Sequence, residues 1–167
     1  LFGLGFFGMV GTFGAGWLCD RMGRGDKRWY LWIPGIATML HVPFAVFCYL
    51  YHDPQIALMV YAVAYVLGHA YLAPMFAMTQ ALVTIRMRAL AASILLFILN
   101  IIGLGLGPQL TGMLSDLLNA FTDLGIHSLR WAMVAVLFFN VISAVLYIFA
   151  GRFLVQDLEA AADAARG

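Results

Sequence analysis

The 167 residues are 64% apolar and 10% charged, with a mean hydropathy of +0.95. Water-soluble domains run near roughly 45–50% apolar and about 25% charged, so an ordinary soluble fold is excluded, and so is a disordered chain, which would be polar and charge-rich. Nine Lys+Arg nearly balance eight Asp+Glu, which gives no reason to expect a nucleic-acid partner.

The charges fall in clusters, and the gaps between them set the elements. No Asp, Glu, Lys or Arg occurs in 1–19, 29–52, 54–85, 89–115 or 131–151. Each complete gap exceeds the ~20 residues that cross a ~30 Å hydrocarbon core as a helix. Five membrane helices are predicted, at about 1–19, 30–51, 55–83, 89–115 and 130–152. A strand barrel would alternate polar and apolar residues in ~10-residue segments, and these runs do not. The predicted class is all-α, a polytopic helical membrane protein with a tail over 154–167.

The first span starts inside an apolar run at Leu1 without a basic flank, unlike a signal peptide, and predicts an amino-terminal part upstream. Its glycines, Gly3, Gly5, Gly8, Gly11, Gly14 and Gly16, formally contain a dinucleotide-type Gly-x-Gly-x-x-Gly. That pattern has meaning only between a strand and a helix, and neither is expected here. Gly5, Gly8, Gly11 and Gly14 at three-residue steps instead predict a face that another helix approaches closely.

The loop that follows holds Asp20, Arg21, Arg24, Lys27 and Arg28. Together with Arg86 and Arg88 in the third loop and Arg152 and Arg166 in the tail, its bases lie on one side, against Arg130 alone on the other. Bases mark the cytoplasmic side, so the first and third loops and the carboxyl terminus are expected in the cytoplasm, and the membrane is the cytoplasmic (inner) one. Cys19 and Cys48 fall near opposite membrane faces, too far apart for a disulfide.

The second span opens on Trp29, Tyr30 and Trp32, an interfacial aromatic belt, with Tyr49 and Tyr51 as its outer counterpart. Its His41, before Pro43, is expected to be structural. The third span carries Tyr61, Tyr65 and His69 at four-residue steps, with Gln80 eleven residues later on nearly the same face and Pro74 breaking the helix between them. A polar stripe beside a break suits a substrate-lining helix; His69 could equally hydrogen-bond a neighbouring helix. In the fourth span Asn100 either lines that path or joins helices, and Gly103, Gly107 and Pro108 read as a hinge or a packing surface. Asn140 and Ser143 in the fifth span are expected to join helices.

No enzyme is expected. His41, His52, His69 and His127 lie at different levels and form no metal set, no catalytic triad or phosphate loop has usable spacing, and no cofactor is implied. A proton-coupled mechanism would use His69 or an acid outside these residues, because no carboxylate lies deep in a span.

The loop Gly16-Trp-Leu18-Cys-Asp20-Arg21-Met-Gly23-Arg24 resembles the Gly-x-Leu-x-Asp-Arg-x-Gly-Arg-[Arg/Lys] signature of major facilitator transporters. Gly25 stands where the last base is usual, with Lys27 and Arg28 close behind. The resemblance implies two six-helix halves, with this motif after the second helix of each, so residues 1–153 would be a half-bundle of helices two to six or eight to twelve. Three features favour eight to twelve: the short acidic, alanine-rich tail, the lack of an arginine inside the third span, and the run from Arg88 to Asp116, which resembles the eleventh helix of spinster-like members. Gly103-x-x-x-Gly107-Pro108 is also similar to an antiporter signature on the fifth helix. The implied function is a secondary active transporter moving a small organic or lipid-like solute by alternating access. Gly16, Asp20, Arg21, Gly23 and Arg24 would gate it, and the lipid bilayer and the amino-terminal half of the same chain would be its partners. A drug or organic-anion antiporter, and a non-transporting receptor-like or scaffold protein, are the alternatives.

Overall fold

The computed structural model describes residues 2–122 and 125–164. Leu1, at the start of the first expected span, and Arg166, one of the tail's bases, lie outside the described residues.

In lipid every backbone N–H and C=O must find its partner within the chain, and the uncharged runs accordingly become helices. In order they are α1 (Phe2–Met22), α2 (Trp29–Leu50), α3 (Pro54–Gly68) and α4 (Leu72–Ala81). A 3₁₀ turn at Ile85–Met87 leads into α5 (Arg88–Ile98), a π-helical segment (Leu99–Leu106) and α6 (Gly107–Phe121). A second 3₁₀ turn, Gly125–His127, precedes α7 (Ser128–Ala150) and α8 (Leu154–Ala164). No strand occurs among the described residues.

Four segments are long and apolar enough to cross a membrane: Trp29–Leu50, Pro54–Ala81, Ile85–Phe121 and Ser128–Ala150. They overlap the second to fifth expected spans; α1, where the first was expected, is not among them, and three further differences appear. The third span breaks at His69–Tyr71, one turn earlier than Pro74 itself. A proline ring strikes the carbonyl four residues back, which is that of Ala70, so the helix must open there rather than at the proline. The fourth span runs on to Phe121 and passes through the π segment just before Pro108. The Gly107 N–H bonds the Ile102 carbonyl, five residues back, and this wider turn accommodates the proline ring. The tail, finally, is a helix whose Leu154 is buried.

Packing is organised around α2, which lies against α7 and α3; α1 crosses α3 and α4, and α6 packs on α7. The α2–α7 approach is close at Gly35, where a Cβ would sit 3.1 Å from the Tyr147 and Ile148 side chains. Nearby, the Trp32 Nε1–H donates to the Ile148 carbonyl at 3.3 Å.

The glycines of α1 divide differently from the expected face. Gly8, Gly11, Ala15 and Cys19 form its buried stripe, which Gly23 continues just past the helix end, whereas Gly5 and Gly14 have no atom of another element within 4 Å. The reason is rotation. A residue turns the helix by ~100°, so three-residue steps drift around the axis, and only alternating steps of three and four hold one face. Gly11 abuts the backbone carbonyl of Val66 on α3 so closely that a Cβ there would overlap it.

The fourth span is the least covered: its most apolar stretch buries none of its residues against the rest of the chain. Gly103 and Gly112 meet no neighbour within 4 Å, so these glycines pack no helix among the described residues. At its far end, buried Ser115 of α6 and Ser128 of α7 share a hydrogen bond of 3.0 Å. Ser115→Ala is expected to cost about 0.6–1.7 kcal/mol, the span measured for interhelical bonds in membranes. A double-mutant cycle with Ser128→Ala, followed by thermal unfolding in detergent, measures it.

Candidate functional site

Between α2, α3, α4 and α7 lies a cavity of about 460 Å³. Helix α2 contributes Thr38, His41 and Tyr49, and α3 contributes Tyr61, Tyr65 and Gly68. His69 and Tyr71 come from the break, Met75 from α4, Leu99 from the π segment, and Asn140, Ser143 and Tyr147 from α7. His41, His69 and Asn140 all fall near the middle of their helical segments, so the centre of the cavity lies at mid-span.

The broken helix positions its centre. Tyr61, Tyr65 and His69 stack along one face, with ring centroids 5.7 Å apart for the tyrosine pair and 4.1 Å apart for Tyr65 and His69. His69 Nδ1 lies 2.8 Å from the Tyr65 carbonyl, and His41 Nδ1 reaches across from α2 to the Ala64 carbonyl, also at 2.8 Å. Both imidazoles are thus anchored to the last turn of α3. Helix α1 closes this side: a Cβ on Gly8 would lie 3.1 Å from Tyr65 and 3.4 Å from His69. The Thr12 hydroxyl points at the carbonyls of Gly8 and His69, at 3.0 and 3.3 Å.

The second feature is the loop joining α1 to α2. The Tyr30 hydroxyl donates to Asp20 Oδ1 at 2.6 Å, and Arg21 lies over the Trp17 ring, 5.5 Å from its centroid. Lys27 sits 5.8 Å from the Tyr30 centroid, and Asp26 Oδ1 accepts from the Arg28 backbone N–H at 2.9 Å. Gly23 is required here for space: a Cβ would collide with the Tyr30 ring and the Cys19 carbonyl. Gly16 faces α4, with Ala73 Cβ 3.3 Å from where its own Cβ would stand. The motif therefore locks α1 to α2 at one end and keeps α1 close to the lower half of the broken helix.

No protein-family profile matches the chain. It is 34% identical over 155 residues to an MFS-type efflux pump of Mycolicibacterium smegmatis, a match covering 92% of this chain and 35% of that protein. Two crystal structures of a bacterial homologue of the human lysosomal transporter Spinster superpose on it. The inward-facing, unoccupied form gives a TM-score of 0.77 at 28% identity, covering 92% of this chain and 39% of that one. The inward-facing, occupied form gives 0.74 at 27%, covering 92% and 40%. Over nearly its whole length the chain is thus similar to transporters of the major facilitator type.

The chain spans about a third of the length of the curated relative it matches. Of the residues expected to line a substrate path, it brings Tyr61, Tyr65 and His69 together in the cavity. Gln80 and Asn100 stand elsewhere. The break at His69–Tyr71 interrupts the 100° register, so Gln80 is exposed and Met75 is the α4 residue on the cavity. Asn100 turns its amide back to the Leu96 carbonyl at 2.7 Å, and Leu99 takes the lining position. Four residues assigned otherwise by sequence join the lining: His41, Tyr49, Asn140 and Ser143. The signal was there in α7, where Asn140, Ser143 and Tyr147 recur at three- and four-residue steps on one face.

Proposed function

We propose that this chain is a five-helix segment of a secondary active transporter, from its carboxyl-terminal half, that moves a small organic or amphiphilic solute by alternating access. The carrying observation is the cavity: a polar chamber at mid-span, built around a broken helix, in a bundle whose spans are otherwise apolar. An enzyme reading has no comparable support. The proteins that this chain resembles are named as an efflux pump and as transporter homologues. We assign α1 as the fifth span, since its 21 residues reach ~31 Å. The basic residues at the α1–α2 loop, at Arg86 and Arg88, and at Arg152 support a cytoplasmic side for these ends and the carboxyl terminus, in the inner membrane. Asp20, Arg21 and Arg24 then form a cytoplasmic latch that opens as the half-bundle tilts against its partner half.

The test is reconstitution of the full-length transporter in proteoliposomes, with uptake of ethidium, carboxyfluorescein and a fluorescent lysophospholipid. Movement of at least one probe above empty vesicles is expected, and its chemistry gives the solute class. Failure of all three under a proton gradient and under exchange conditions removes the reading. The Gly103-x-x-x-Gly107-Pro108 pattern, set at the π segment and the start of α6, supports a second mechanism within the same class, antiport. It predicts that probe efflux accelerates when a counter-solute is present on the other side.

A further inference from the structure

We propose that the end of the bundle where α2 begins and α7 ends binds one anionic phospholipid of the surrounding bilayer. Its phosphate is held by Arg28 and Arg152, and one acyl chain lies in the groove between the two helices. The site depends on membrane residence alone, whatever solute the protein moves.

The register of the two helices brings the arginines to one place. Gly35 of α2 meets Tyr147 and Ile148 of α7. Three residues earlier, the Trp32 indole donates to the Ile148 carbonyl and lies against Gly151, where a Cβ would stand 2.5 Å from its Nε1. The helices therefore run antiparallel. Arg28 is four residues before Trp32 and so on the same face of α2, which brings it level with the turn after α7, where Arg152 stands. Trp29 opens one membrane-spanning segment and Ala150 closes another. The two guanidinium groups thus belong to residues one and two positions outside the apolar core, beside an interfacial tryptophan pair whose rings are 5.5 Å apart, at the depth of lipid headgroups.

The arginines lack adequate partners of their own. Arg28 Nε is shut away from solvent with no hydrogen bond among the described residues, although 43% of the side chain stays exposed. The Asp26 carboxylate is 3.9 Å from that nitrogen, and its Oδ1 already accepts from the Arg28 backbone N–H at 2.9 Å. Arg152 lies over the Phe149 ring, 5.9 Å from its centroid, and no carboxylate among the described residues pairs with it. Lys27, next to Arg28, adds a third positive charge, while Asp157 and Glu159 of α8 stand more than a turn beyond Arg152. A phosphate diester supplies what is missing, because its oxygens accept from two planar guanidinium forks at once.

The groove decides for a lipid over a free phosphate. Leu31 of α2 and Ser143, Leu146, Tyr147 and Ala150 of α7 line a groove of about 310 Å³. Its near end adjoins both arginines, since Leu31 is three residues from Arg28 and Ala150 two from Arg152. From there it runs ~10 Å along α7 into the span. Leucine and alanine side chains dominate its walls, so an acyl chain fills it and an inorganic anion leaves it empty. A basic pocket between membrane helices is the form in which anionic headgroups are recognised.

Native mass spectrometry of the full-length protein in detergent reads the site. The probes are phosphatidylglycerol, phosphatidylcholine with the same chains, and inorganic phosphate. One phosphatidylglycerol is expected to bind about tenfold more tightly than phosphatidylcholine, and excess phosphate is expected not to displace it. Arg28→Gln with Arg152→Gln is expected to reduce the preference to less than about twofold, whereas Arg86→Gln with Arg88→Gln, which removes the same charge elsewhere, keeps it. Ala150→Phe, at an exposed position, blocks the mouth of the groove and is expected to weaken binding at least about fivefold. Equal affinity for the two lipids in the wild type, or equal loss in both arginine variants, overturns the site. Displacement by phosphate, or unaltered binding in Ala150→Phe, overturns the lipid as its occupant. If the Arg28 and Arg152 variant fails to fold, the wild-type comparison and Ala150→Phe still decide.

Discussion

Gly11→Val is expected to destabilise the bundle by about 3 kcal/mol or more, while Gly14→Val changes stability by less than about 0.5 kcal/mol. The two glycines are three residues apart in one helix and differ only in what they face. At Gly11 the obstacle is the Val66 carbonyl and its backbone carbon atoms, which cannot swing aside as a side-chain tip can. To admit the valine, α1 must move away from α3, and the Thr12 and Gly8 contacts that close the cavity beside Tyr65 and His69 go with it. At Gly14 nothing lies within 4 Å, so the added methyls displace no atom of this bundle. Thermal unfolding of the full-length protein in detergent, followed by size-exclusion chromatography, measures both. Equal melting temperatures for the two variants would show that the α1–α3 contact carries no load.

The second large effect concerns the loop. Asp20→Asn is expected to lower the transport rate about tenfold, some 1.4 kcal/mol in barrier, with expression and melting temperature close to wild type. Tyr30→Phe is expected to lower it about threefold. The pair separates charge from hydrogen bonding. Asparagine still accepts from the Tyr30 hydroxyl, now 2.6 Å from Asp20, but has no charge to offer the bases around it. Phenylalanine keeps its ring against Gly23 and leaves the carboxylate charged but unbonded. Hydrogen bonds to charged groups reach about 1.5–3 kcal/mol, and solvent at this exposed site reduces that figure. Initial uptake rates for the probe that the wild type moves, normalised to protein in the vesicle, give the comparison. Rates unchanged in Asp20→Asn would leave the loop as a plain positive-inside flank.

Much of the fold was legible because charge is expensive in lipid. The gaps between charged residues alone located α2, the α3–α4 segment, the α5–α6 segment and α7 to within a few residues, and the loop motif pointed to the family. Which face each side chain takes was less legible, for one physical reason. Ideal helical periodicity was carried through places where the helix is not ideal. The break before Pro74 resets which face a later residue occupies, so Gln80 falls outside the lining, while Asn100, at the start of the π segment, turns its amide back to the Leu96 carbonyl. The same error put Gly5 and Gly14 on a face with Gly8 and Gly11, because repeated steps of three wind around the axis. His41 was legible as a polar group at mid-span. Its direction was not, since nothing local says that α2 turns that side toward α3.

Membrane residence, the helical class, the approximate spans and the motif-bearing loop therefore follow from the amino-acid sequence by itself. They depend on local composition, which the bilayer converts directly into structure. The tertiary structure alone decided that two histidines from different helices meet the same half-helix end. It also decided that five tyrosines and an asparagine surround one chamber, and that Gly11 rather than Gly14 touches a neighbour. Those facts depend on how each helix is rotated about its axis. A hydrophobic solvent exerts almost no preference on that rotation when every side of the helix is apolar, so only contacts between helices set it.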